Sequence, residues 1–145
     1  MKKRVIRSFS FILVLAILIS TVAFAAETSS LYIAATNAYI TRSGDDVNVY
    51  FYIVGRDIYM DKIGATEIRL FEQNGTTWSR VKTFDSNDSQ YTSAMIDTNS
   101  GAFSSHVTYT EGSATKNYFA LVYFYAEKDG GSDTIPQETP TSYGS

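Results

Sequence analysis

The chain has no cysteine, a single histidine and two prolines. Each scarcity removes a chemistry. Without Cys there is no disulfide, no thiolate nucleophile and no thioether-linked lipid. A zinc site loses its usual ligands, Cys and His, apart from one residue. Any Ser-His-Asp triad would have to use His106. Ser104 and Ser105 lie close by, but neighbours along a strand point to opposite faces, and there is no Gly-x-Ser-x-Gly elbow. His106 therefore reads as a structural or surface strand residue. No enzymatic activity, metal or cofactor is expected. Absence of Cys in an exported chain fits a bacterial envelope that makes little use of disulfides.

Basic residues are scarce where it matters. Four of the 12, Lys2, Lys3, Arg4 and Arg7, precede an apolar run from Phe9 to Ile19, and Ala23-Phe24-Ala25 follows. A basic start, an apolar stretch and small residues at a cleavage site make a secretory signal peptide. Residues 1–25 are expected to be removed after Ala25, leaving one domain over residues 26–145. An uncleaved membrane anchor is the alternative, since the wider run from Phe9 to Ala26 is near the lower limit for a span. Ser10, Ser20 and Thr21 dilute that run, and no second apolar run follows. Contact with a membrane is therefore expected only through an uncleaved signal peptide. The localisation expected is secreted, extracellular or cell-surface associated.

After cleavage eight basic residues face 15 acidic ones, a net charge near −7. Phosphate backbones are held by Lys and Arg, so nucleic acid is not an expected partner. Anionic membrane surfaces are disfavoured for the same reason. A domain of this size can bury roughly two-thirds of its unfolded surface, enough for one core without disulfides.

What the chain does have is aromatics: eleven Tyr, Trp78 and six Phe remain after cleavage. Tyr and Phe suit a pleated, half-buried surface. Val47, Val49, Phe51 and Ile53 alternate as one apolar face of a strand. Ala65–Glu72 reads as another, with Ile68 and Leu70 on one side and Glu67, Arg69 and Phe71 on the other. Asn74-Gly75 signals a hairpin, with Thr77–Phe84 as its return strand. Gln90–Asp97 is a weaker strand and Phe103–Thr110 a clearer one. Tyr118–Ala126 is apolar on both faces, as in a central strand. Asp133–Thr141 could close the sheet, with Pro136 suiting an edge. No long stretch shows helical spacing. The fold class expected is an all-β antiparallel sandwich of about seven strands.

Two stretches carry a resemblance. Ile68-Arg69-Leu70-Phe71 through Asn74-Gly75 to Trp78-Ser79-Arg80-Val81 resembles the hairpin between the third and fourth strands of immunoglobulin-like, fibronectin type III-like sandwiches. Asn117-Tyr118-Phe119-Ala120-Leu121-Val122 resembles their penultimate strand. The resemblance implies that Tyr118 is a structural tyrosine corner, its hydroxyl bonded to backbone just upstream. The chain departs from antibody-type domains in having no inter-sheet Cys pair. It is also similar to small exported proteins of Firmicutes, which implies a compartment rather than an activity.

In that register Tyr118, Ala120, Val122, Phe124 and Ala126 face inward. Phe119, Leu121, Tyr123 and Tyr125 face outward, as do Phe71, Tyr50 and Tyr52 on their strands. Monomers seldom show large apolar patches without a use for them. The residues expected to bind a ligand are Trp78, Phe71, Tyr123 and Tyr125, with Tyr50 and Tyr52 behind them. Flat rings suit sugars, and rigid amphipathic Tyr suits protein partners. A non-enzymatic secreted or surface-associated binding module for a glycan or protein is the function expected. A structural, self-associating homo-oligomer is the first alternative, and an enzyme of unrecognised type the second. Asp85-Ser86-Asn87-Asp88-Ser89 is rich in oxygen ligands. Gln90 and Ile96 nevertheless stand where a calcium loop needs Gly and a carboxylate, so a solvated turn is expected.

Overall fold

The computed structural model describes residues 30–145. The expected signal peptide lies outside them. Eight strands are formed: β1 Ile33–Ser43, β2 Asp46–Gly55, β3 Lys62–Asn74, β4 Thr77–Asp85, β5 Ile96–Asp97, β6 Ala102–Tyr109, β7 Tyr118–Lys128 and β8 Gly131–Glu138. The one helix among the described residues, α1, is a single turn, Thr92–Met95. All strand pairs are antiparallel. One sheet has the order β1-β2-β6. The other has the order β4-β3-β7-β8, with β5 pairing to the start of β3.

Alternation builds the interior. Val47, Val49, Phe51 and Ile53 of β2 are buried, as are Ala120, Val122, Phe124 and Ala126 of β7. The sheets meet through them: the Phe51 and Phe124 rings touch edge to face at 6.4 Å, and Phe103 from β6 meets Phe51 at 5.9 Å. Pro136 stands on the outer strand β8, where its missing N–H costs no ladder bond.

On β3 the period breaks. Ile63 and Ala65 face inward, and so do Ile68 and Leu70. Odd and even positions share a face because the register with β7 slips at Thr66, an extra residue in the ladder. A second slip at Val81 of β4 puts Trp78, Arg80 and Thr83 on the outer side while Phe84 stays buried.

One local expectation is corrected. Gln90–Asp97 is not a full strand. Asp88 Oδ1 accepts the Gln90 N–H at 3.0 Å, and the Asp88 carbonyl accepts those of Tyr91 and Thr92. This winds one helical turn and points Tyr91 and Met95, four residues apart, toward the core. The β3–β4 hairpin forms where the Asn74-Gly75 pair signals it, with Thr77 opening the return strand: Asn74 pairs with Thr77 and the loop is Gly75-Thr76. Gly75 has φ +62°, and Gly is favoured at that first central position of a two-residue loop.

Candidate functional site

The six aromatic residues expected to bind do not form one site. Trp78, Phe71, Tyr123 and Tyr125 lie on the outer face of the four-strand path β4-β3-β7-β8. Tyr50 and Tyr52 lie on the outer face of β1-β2-β6, on the other side of the molecule.

On the three-stranded face the rings stand in a row across the strands. Tyr39 stacks on Tyr50 at 5.3 Å, and Tyr50 on His106 at 4.8 Å. Tyr50 thus has a ring on each side, while Tyr39, at the end of the row, is stacked on one face and is 46% exposed. Tyr52, which pairs with Asn37 and Ser104, is 42% exposed.

On the opposite face the aromatics gather at the hairpin end. Phe71 stacks on its cross-strand partner Phe119 at 4.8 Å, nearly parallel. Trp78 meets Phe119 at 4.8 Å in a T-shaped contact. A T-shaped contact covers at most one face of the indole, and Trp78 is 38% exposed. Polar groups border it. Gln73, its partner on β3, accepts a hydrogen bond from the Asn117 amide at 2.7 Å. Arg80, opposite Phe71, is exposed.

Tyr123 and Tyr125 sit farther along. From Phe119 to Tyr125 is about 20 Å at ~3.3 Å per residue. Arg69 lies over the Tyr123 ring at 4.8 Å and bonds Glu67, whose carboxylate is the main cause holding the guanidinium charged above its ordinary range. Burial, then a 2.6 Å bond to Glu127, raises the Tyr125 phenol. Both rings are half-buried and engaged. Phe119 and Gln73 belong to the Trp78 cluster but were not among the expected ligand residues. Their place follows from cross-strand register, which alternation within one strand does not supply.

Tyr118 faces the interior and is fully buried. Its hydroxyl accepts the Ser113 N–H at 2.9 Å and donates to Glu72 Oε2 at 2.7 Å. Arg42 lies over its ring and donates to the carbonyls of Lys116 and Ser113. Burial first, then the bond to Glu72, pushes the phenol up to about 12. Tyr118→Phe is expected to cost about 1–3 kcal/mol in urea unfolding, because the Ser113 N–H and Glu72 lose their partner. The raised value also fixes a pH dependence. The neutral phenol's contribution is complete below its ordinary value near 10 and is lost as pH rises through about 12. Stability measured across that window should fall less steeply in the Phe variant.

His106 is exposed on β6, its ring stacked on Tyr50. Asp85 and Asp88 spend carboxylate oxygens on the backbone N–H groups of Asn87 and Gln90. Among the described residues no three His, Cys, Asp or Glu side chains converge to hold a metal ion. A cleft of about 310 Å³ is lined by Arg42, Gly44, Ala114, Tyr143 and Ser145. Its only strong charge from a side chain, Arg42, is already committed to backbone carbonyls. Comparison with family models, curated proteins and solved structures gives no match for this chain.

Proposed function

We propose that the chain is an exported, non-enzymatic binding module of the immunoglobulin-like, fibronectin type III-like sandwich type, and that it binds glycans through Trp78. The sandwich type is supported by the strand order β1-β2-β6 against β4-β3-β7-β8 and by the Tyr118 bond to Ser113 at the entrance to the penultimate strand. Export rests on the signal-peptide pattern of residues 1–25.

The observation that carries the ligand reading is Trp78. It stands on a two-stranded hairpin, braced by the Phe119–Phe71 stack, partly exposed to solvent and paired across the strands with the Gln73 amide. A rigid flat ring gives a sugar an apolar surface, and the neighbouring amides and Arg80 supply hydrogen bonds to hydroxyls. On the opposite sheet Tyr50 has a ring on each side, Tyr39 and His106.

The test is retention of Ala26–Ser145 on purified cell walls, mucin and insoluble polysaccharides. Trp78→Ala should weaken retention by tenfold or more, the ~2 kcal/mol typical of an aromatic hot spot, with an unchanged melting temperature. Equal retention of both proteins would rule out Trp78 as the anchor. Retention on none of the supports would leave a protein partner as the ligand of this face.

A further inference from the structure

Charge is divided unevenly between the sheets. The 29 residues of β1, β2 and β6 include only two charged ones, Arg42 and Asp46, both at the β1–β2 turn. The 41 residues of β3, β4, β7 and β8 include eleven. Two copies of so acidic a chain repel each other over most of their surface, and least over the three-stranded sheet.

The edges of the sheets differ as well. An open strand edge is a template for pairing, and charges, Pro and bulges are the usual guards. β4 carries Arg80, Lys82, Asp85 and the slip at Val81. β8 carries Asp133, Pro136 and Glu138. β1 is tied to the rest of the molecule at both ends. Asp133 accepts the N–H groups of Leu31 and Tyr32, and Arg42 reaches the Lys116 and Ser113 carbonyls. β6 has none of these guards. From Thr98 to Thr110 there is no Asp, Glu, Lys, Arg or Pro. Between Phe103 and Tyr109, the backbone groups turned away from β2 have no hydrogen-bond partner among the described residues.

We infer that β6 pairs antiparallel with β6 of a second copy about a two-fold axis, joining two three-stranded sheets into one of six. An uncharged antiparallel edge is self-complementary, and two-fold pairing is the commonest way for identical chains to close. With the axis at His106, Ser104 of each copy faces Thr108 of the other and Phe103 faces Tyr109. Hydroxyls then meet hydroxyls and rings meet rings, and each such pair favours the register. The Trp78 face lies on the other sheet and stays open on both copies, so the dimer would be bivalent.

Sedimentation equilibrium of Ala26–Ser145 tests the pairing independently of any ligand. The protein should sediment at twice its monomer mass. Ser104→Lys with His106→Lys, both exposed on β6, should return it to the monomer. Tyr52→Lys, on the same face but on the central strand, should leave the dimer intact. A monomer at concentrations up to about 0.1 mM, weaker than most specific complexes, would overturn the inference. So would dissociation by Tyr52→Lys, which would place the contact on the face instead of the edge. Hydrogen exchange of the unchanged protein gives a reading that needs no variant. Protection of β6 amides should rise with protein concentration, and protection that does not change with concentration contradicts the pairing.

Discussion

Phe51→Ala and Phe124→Ala are each expected to cost about 3–5 kcal/mol in urea unfolding. The two rings come from opposite sheets and meet at 6.4 Å, both essentially without exposure. Truncating either removes its transfer free energy and leaves a cavity between two hydrogen-bonded sheets, which cannot close around it without bending. A domain of this size has only about 5–15 kcal/mol of stability in all, and this one has no disulfide to add to it. A substitution one residue away supplies the control. Tyr52 is Phe51's neighbour on β2 but points outward, so Tyr52→Ala should cost less than about 1 kcal/mol. Similar losses for the two would contradict the alternation on which the sandwich rests.

Gly64→Ala is expected to be as damaging, by about 3 kcal/mol or more, although it adds one methyl group. Gly64 has φ +153°, a conformation that residues with a side chain rarely adopt. A Cβ there would stand 2.0 Å from the Met95 carbonyl oxygen and 3.0 Å from Ile96 Cα. Both are backbone atoms of the segment that leaves α1 and enters β5, so no rotamer change relieves the clash. The segment would have to lift off β3, breaking the Ile63–Asp97 and Gly64–Ile96 pairs and unseating Met95 from the core. Gly75→Ala makes the comparison, because Gly75 has no atom within 4 Å of its missing Cβ. It bears only the strain of φ +62° and should lose less. Thermal unfolding of the two variants should rank them in that order.

Much of this architecture is legible in the sequence because burial follows period two. The inward set of β2 can be written down from alternation; that of β7, apolar on both faces, needs the register that the tyrosine-corner resemblance implies, and Pro136 marks its strand as an edge because it cannot donate to a ladder. Interactions between strands are not legible in that way. The slips at Thr66 and Val81 change which residues face out without leaving a residue-type signature. The turn of helix at Thr92–Met95 depends on Asp88 capturing local N–H groups, while Asp there reads equally well as an ordinary turn residue. Alternation says that Tyr50, Tyr52 and Phe71 point outward, and the tyrosine-corner register adds Tyr123 and Tyr125, but neither says from which sheet. Only strand order separates them into two faces, and only register shows that Tyr50 has spent its ring faces on Tyr39 and His106. Trp78 meets Phe119 edge to face and stays partly exposed.

The most direct measurement is the fluorescence of Trp78, the one tryptophan in the chain. Soluble oligosaccharides cut from whichever support retains the protein would be titrated into Ala26–Ser145. A sugar on the exposed indole should change the emission saturably, at concentrations matching those that elute the protein, and Tyr52→Ala on the opposite sheet should not alter the titration. Emission that stays constant while the protein is eluted by the same sugars would contradict binding at Trp78.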